Sequence, residues 1–530
     1  MLARVLIALL LILLPGCGKD TGSAIKLPTQ KPVAIKDHPN NTSFTIDSTL
    51  ISGYPSGIKS IYRENNYTSL WTNEADRNTF LLCIAAAEED GLNPKDYNYR
   101  ELVKFEKNKA ISVKESVEYD LMMTESFFLF ANHLFKGKIT TSAVYPDWAL
   151  QQKKLDAGIL LTEGLENHTI DKVLERCRPP HTIYTGLRKS LQVINGLPDD
   201  SDIEKIAIEE SIKENDSLAV IATIKKRLAY WKDLEPADTT GFVYNASIIA
   251  AVKKFQLRHG MYPDGVIGKR TVAALNFTKQ QRKEQIIVNL ERWRWFAYDF
   301  GDKAIIINIP DYKLALLEKN KDTLAVHKVV VGKPDRRTPV LYSKLNYLVI
   351  NPTWTVPPTI LKEDLTPKAS EDRNYFDNNN LRIYDRDSNE IAPQDWNPEL
   401  ARTYRYVQSS GSSNALGNIK FNYNNRFSVY LHDTNHRELF DRSFRALSSG
   451  CIRVHEPFKL AQKILEEENS DWNPEKINDA VASGETENIY LKKANFVHQL
   501  YWTAWMDKNG LQFRNDIYGL DKALYDKLRD

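Results

Sequence analysis

The chain has 530 residues, with 71 Lys and Arg against 69 Asp and Glu for a net charge of +2. That length exceeds one ordinary core and predicts several modules. The near balance of charge excludes the strong positive field of a nucleic-acid-binding protein, so recognition must be local. With 42% hydrophobic residues, 10 Trp and 25 Tyr, there is ample material for folded cores. No internal segment reaches the length of a membrane span.

At the N-terminus Arg4 precedes an apolar run from Val5 to Leu14, closed by Leu14-Pro15-Gly16-Cys17. Ten apolar residues are too few to span a bilayer. Followed by small residues, they read as a lipoprotein signal peptide over 1–17, with Cys17 lipidated and the mature protein carried out of the cytoplasm to the periplasm on a membrane anchor. Residues 18–45 are rich in Lys, Pro, Thr, Asn and Ser and are expected to form a flexible tether. From 46 to 216 the pattern is helical. A helix through Phe80–Ala87 stops at Gly91-Leu92-Asn93-Pro94, and another over Tyr119–Leu134 ends at Lys136-Gly137-Lys138.

A compact three-helix module is expected over 217–280, with helices at Ile221–Trp231, Ser247–His259 and Gly268–Leu275. Phe255 and Leu275 are its core candidates, and Gly265 and Gly268 are expected to take positive φ in its loop. A helix from Gln285 then leads into short Val- and Ile-rich runs at Ala304–Ile309, Tyr312–Leu317, Leu324–Val331 and Tyr347–Ile350, which predict a β-rich domain over 281–475. Between 356 and 417 strand signals are sparse and polar residues frequent, as in an inserted lid or subdomain. Strand signals return at Arg426–Leu431, continue into Ser449–Val454, and resume at Glu487–Leu491 in a C-terminal extension over 476–530 expected to pack on this domain.

The chemistry concentrates in Tyr430-Leu431-His432-Asp433-Thr434 and Ser448-Ser449-Gly450-Cys451-Ile452-Arg453-Val454. A thiol needs a base to become a nucleophilic thiolate, and a glycine before it lets a carbonyl approach the backbone closely. Cys451 is the expected nucleophile and His432 the base that takes and returns its proton. The N–H groups of Gly450 and Cys451 are the expected oxyanion donors. Arg453 is expected to hold the loop or meet a substrate carboxylate. His432-x-x-x-His436 and Cys451-x-x-x-His455 have spacings that zinc accepts, but zinc leaves the Gly-Cys turn unexplained, so no metal and no cofactor are expected. Cys83 and Cys177 read as buried small hydrophobes rather than a bridge.

These motifs resemble the L,D-transpeptidases, cysteine enzymes that cross-link peptidoglycan, in which an upstream His and a Ser-x-Gly-Cys run form the site. The resemblance extends along the chain. Tyr62–Tyr67 with Leu70-Trp71 and Asp90–Tyr97 resemble the helical scaffold domain of the large multi-domain subfamily. Ala250–Gln256 with Asp264-Gly265-x-x-Gly268 and Thr271–Asn276 resemble the three-helix peptidoglycan-binding domain, either still gripping wall polymer or serving as a spacer. It implies a multidomain α+β fold: helical scaffold, peptidoglycan-binding-like module, and β-rich catalytic domain with a capping subdomain over the site. It further implies that the Asp433 carbonyl orients His432, and that Tyr430 and Trp354, in Asn351–Pro357, line the pocket beside Ser449 and Arg453. The implied partners are peptidoglycan stem peptides, with no nucleic acid; protein partners are left open. The expected reaction joins third stem residues through a Cys451 thioester with release of D-Ala. The alternatives are an L,D-carboxypeptidase using the same acyl-enzyme, or a non-catalytic peptidoglycan-binding lipoprotein.

Overall fold

The computed structural model describes residues 38–108, 110–235, 241–319, 323–468 and 471–530. The signal run with Cys17, and most of the tether, lie outside the described residues. The folded body already includes His38 and Asn40, which are buried, and Thr45, which bridges to Thr68. Asn40 donates to the Ser116 carbonyl at 3.1 Å. The tether expected to run to residue 45 therefore gives way to packed chain before that point.

The scaffold consists of α1 (Ser56–Glu64), α2 (Glu74–Ala85), α3 (Tyr99–Lys107), α4 (Val113–Lys136), α5 (Ala157–Glu166), α6 (Ile170–Cys177) and α7 (Thr182–Asn195). Local signals set its ends. The α4 N-terminus is closed by a reciprocal Ser112–Glu115 capping box, and its C-terminus by Gly137 at φ +89°. Trp71, Phe80, Tyr97 and Phe127 are buried in its core. Cys83 and Cys177 are free thiols. Burial pushes Cys83 up to about 12 and Cys177 up to about 11, which leaves both unreactive.

The three-helix module comprises α8 (Val220–Tyr230), α9 (Ala246–Arg258) and α10 (Lys269–Leu275), with Phe255 and Leu275 fully buried. Gly265 takes φ +78°, but Gly268 is extended at φ −96°, contrary to expectation, because it caps the N-terminus of α10. The module is locked to its neighbour: Arg514 donates to the Arg258 carbonyl at 3.1 Å, and Arg270 to Ser443 Oγ at 2.6 Å.

Helix α11 (Lys279–Trp295) starts earlier than Gln285, at a Thr278–Gln281 capping box. It is buried on every side from Gln285 to Trp295, because the scaffold packs on one flank and the β domain on the other. Its charges are paired accordingly. Arg292 meets Asp521 at 2.6 Å, and Arg294 meets Glu291 and donates to the Asp90 carbonyl at 2.7 Å. Burial alone would raise Asp90, yet Arg178 and Arg188 hold it down at about 2. The helical region and the β domain thus share one buried ionic seam.

The β domain contains β1 (Lys303–Asn308), β2 (Lys313–Glu318), β3 (Ala325–Gly332), β4 (Leu341–Ile350), β5 (Trp354–Thr355), β6 (Leu381–Tyr384), β7 (Glu390–Ile391), β8 (Arg405–Gln408), β9 (Ile419–Tyr423), β10 (Leu431–His432), β11 (Ala446–Ser448), β12 (Ile452–Val454), β13 (Glu487–Leu500), β14 (Ala504–Asp507) and β15 (Gly510–Phe513). The main sheet runs β11-β3-β12-β10-β9-β4-β13-β1-β2, and β2 pairs again with β3, so the sheet closes on itself. Three expectations are corrected here. The strand expected at Arg426–Leu431 is realised only at its end, where Leu431 opens β10: Asn425 Oδ1 accepts from the N–H groups of Phe427 and Val429, and Ser428 turns at φ +55°, so the earlier part is a turn that follows β9. The extension does more than pack on the domain, since β13 is an interior strand between β4 and β1. The insertion has its own small sheet, β5-β8-β6-β7, around Phe376, Trp396 and Tyr406, and β5 makes it begin at Trp354. Among the described residues no helix is long and apolar enough to cross a membrane.

Candidate active site

Strands β10 and β12 run parallel, with Leu431 opposite Ile452 and His432 opposite Arg453. Leu431 and Ile452 face the core, so side-chain alternation sends Tyr430, His432, Cys451 and Arg453 to the other face. Antiparallel β9 adds Lys420 opposite His432. One row across the sheet is therefore Lys420–His432–Arg453, and the next brings Tyr430 beside Cys451. Sequence reasoning missed Lys420; the one available signal was a charged residue alternating with Ile419 and Phe421 in a buried strand.

The Cys451 sulfur is half-buried. It leans toward the Ser428 carbonyl, 4.0 Å away, and toward the Tyr430 hydroxyl, which hydrogen-bonds to it. Burial raises the thiol above its ordinary value, while Tyr430, Lys420 and Arg453 act in the opposite direction. His432 stands one register step away on the same face and packs its ring against Tyr430, with centroids 5.6 Å apart. Sulfur and imidazole share no hydrogen bond in this resting arrangement, and such contacts commonly tighten only with substrate present. Burial, reinforced by Arg453 and Lys420, pushes His432 down to about 3, so the ring is neutral. The Asp433 main chain favours the charged ring, but Nδ1 makes no hydrogen bond of normal geometry. The Asp433 carboxylate points away, accepting from Asn418 N at 3.0 Å and Arg437 at 3.1 Å.

The turn before Cys451 is held from several sides. Gly450 takes φ +113°, a region closed to most L-residues. Its N–H donates to Ser448 Oγ at 3.2 Å, and that hydroxyl donates to the Cys451 carbonyl at 2.6 Å. The Gly450 N–H, expected as an oxyanion donor, is thus engaged by Ser448 in this arrangement. Among the described residues no acceptor is seen for the Cys451 N–H. Thr338 Oγ1 donates to the Gly450 carbonyl at 2.8 Å, and the Tyr518 hydroxyl accepts from Thr338 N at 3.1 Å, which ties the tail to the Gly450–Cys451 turn.

The cap reaches the same turn. Trp354 hydrogen-bonds to Tyr430. Arg336 donates to Ser449 Oγ at 3.0 Å while pairing with Glu363 at 2.7 Å and with Asp364. Ser449 is thus clamped rather than free, and Arg453 Nε is buried without a partner. Because one guanidinium joins cap and turn, Arg336→Ala is expected to slow turnover by roughly ten- to a hundredfold through misplacement of the sulfur. Progress curves beside thermal melts check this; an unchanged rate contradicts it.

The zinc spacing is not realised as a cluster. His436 pairs with Glu438 at 3.3 Å, and His455 packs on Phe440 at 5.2 Å. Among the described residues no three His, Cys, Asp or Glu side chains gather as a metal-binding group.

His432 and His498 are both buried and neutral, held near 3 and 4 against an ordinary 6.5. Folded-state values below the unfolded value mean that this stability is fully present above pH 6.5 and is lost as pH falls toward 4. Each histidine costs about 2 kcal/mol at pH 5. Melting temperature is expected to fall between pH 7 and pH 5, and His498→Gln is expected to flatten the fall; equal slopes in variant and wild type refute the assignment.

Comparison with known proteins matches three parts of the chain. Residues 302–482 match the L,D-transpeptidase catalytic domain, residues 56–191 the scaffold domain, and residues 219–275 a domain described as "Putative peptidoglycan binding domain". A Haemophilus influenzae protein described as "Putative L,D-transpeptidase" is 39% identical over 244 residues, covering 46% of this chain and 49% of that protein. The chain thus spans about half the length of that curated relative. Among solved structures, L,D-transpeptidase residues 123–326 from Xylanimonas cellulosilytica align at 12% identity and TM-score 0.18, covering 55% of this chain and 98% of theirs. An L,D-transpeptidase from Stackebrandtia nassauensis aligns at 13% and 0.20, covering 55% and 94%. The chain carries the catalytic domain of the L,D-transpeptidases, preceded by a scaffold domain and a peptidoglycan-binding-type domain.

Proposed function

We propose that the protein is an L,D-transpeptidase that cross-links third residues of peptidoglycan stems through a Cys451 thioester. The carrying observation is the shared face of β10 and β12, where a half-buried thiol and a neutral imidazole stand one register step apart with the cap against the nucleophile turn. Cys451 gives its proton to His432, and the sulfur attacks the carbonyl of the third stem residue, a diamino acid. The Cys451 N–H supports the oxyanion. His432 then protonates the departing D-Ala amine as the C–N bond breaks, leaving a thioester. The side-chain amine of a second stem attacks, His432 takes its proton, and the thiol is released.

The apolar run Val5–Leu14 closed by Leu14-Pro15-Gly16-Cys17 carries the reading of export to the periplasm on a lipid at Cys17, and family likeness that of acylation of Cys451 by carbapenems. Purified protein given disaccharide tetrapeptide is expected to release D-Ala and form cross-linked dimer. Monomeric tripeptide as sole product instead supports the carboxypeptidase reading, and no turnover supports a wall-binding lipoprotein.

A further inference from the structure

We propose that Lys420 supplies the positive charge that holds the Cys451 thiolate, leaving His432 to carry protons rather than to stand as the sulfur's charged partner. The inference rests on the nucleophilic role of Cys451 and deepens it. The geometry begins with β9, whose register puts Lys420 opposite His432 on the reactive face. Its ammonium lies over the Tyr430 ring, 4.2 Å from the centroid, and the hydroxyl of that same ring hydrogen-bonds to the sulfur. The ring thus seats the ammonium beside the thiol by a cation–π contact.

The remaining charges leave this task to few groups. The groups around the sulfur are Lys420 on the same face of β9, Tyr423 from the core side of that strand, Tyr430 and His432 around β10, and Arg453 from β12, which is itself influenced by Glu438. Both tyrosines are pushed far up by burial and remain neutral. His432 is neutral as well, so the positive charges are Lys420 and Arg453. Lys420 is partly desolvated, which strengthens its attraction for an anion close by, and the thiolate in turn favours its charged form. Two cations flanking His432 also make its imidazolium a strong acid. When the S–H bond breaks, the electron pair stays on sulfur and the proton passes to the ring, which then yields it readily to the departing amine.

The test is the pH profile of Cys451 alkylation by iodoacetamide, read site by site by peptide mass spectrometry in full-length protein. Lys420→Met is expected to move the profile up by about one unit, a roughly tenfold slower reaction at pH 7, and Lys420→Arg to restore it. His432→Gln is expected to leave the profile near wild type while turnover collapses. Near-ultraviolet circular dichroism establishes that each variant is folded. An unchanged profile in Lys420→Met, or an upward shift in His432→Gln as large as that expected for Lys420→Met, overturns the assignment. If wild-type Cys451 reacts no faster than half-buried Cys83 and buried Cys177, the nucleophile reading fails and this inference falls with it.

Discussion

Replacing Cys451 with alanine is expected to reduce release of D-Ala from disaccharide tetrapeptide by at least about ten-thousandfold, to the level of buffer alone. No other group on the reactive face substitutes for the sulfur: Tyr430 is held protonated, and Lys420 and Arg453 are cations without a free electron pair. The loss belongs to chemistry rather than folding, because the side chain is half-buried and removing one sulfur leaves the β10–β12 pairing and the Thr338–Gly450 contact in place. Chromatography of the reaction products measures the rate, and a melting temperature within a few degrees of wild type separates the two causes. Residual turnover within tenfold of wild type is incompatible with a thioester.

His432→Gln is expected to lower turnover by roughly a hundred- to ten-thousandfold, the range for loss of a positioned general base and acid. The imidazole is the neutral nitrogen base on that face, and its neutrality follows from burial beside two cations. Glutamine retains size and polarity but cannot carry a proton, so both acylation and amine attack slow. Single-turnover kinetics with a carbapenem, followed by stopped-flow absorbance, isolates the first of these steps. Equal acylation rates in variant and wild type would assign the base elsewhere.

Part of the helical architecture was legible because stops are local: Gly91 beyond α2 and Gly137 after α4 each act within a few residues. The longest strand was harder to read. Glu487–Leu500 mixes charged and apolar residues, since its first half is exposed and only its second half is buried between two neighbours, which no local pattern announces. The short strand β9 went unread, and most of the strand expected just after it is a turn folded by the Asn425 side chain. At the site, a histidine and a cysteine nineteen residues apart were visible as a pair, and the register of β10 on β12 puts them on one face. Lys420, Arg336 and Thr338 were not legible, because each reaches the site only through pairing or a loop far away in sequence. The engagement of the Gly450 N–H is a local matter by contrast, since the acceptor is the Ser448 hydroxyl two residues away.

The most direct measurement of the central claim is intact-mass analysis of wild type and Cys451→Ala after incubation with a carbapenem. The account predicts a single covalent adduct on the wild-type protein, localised by peptide mapping to Cys451, and no adduct on the variant. An adduct that persists in Cys451→Ala, or one that maps to another residue, contradicts it.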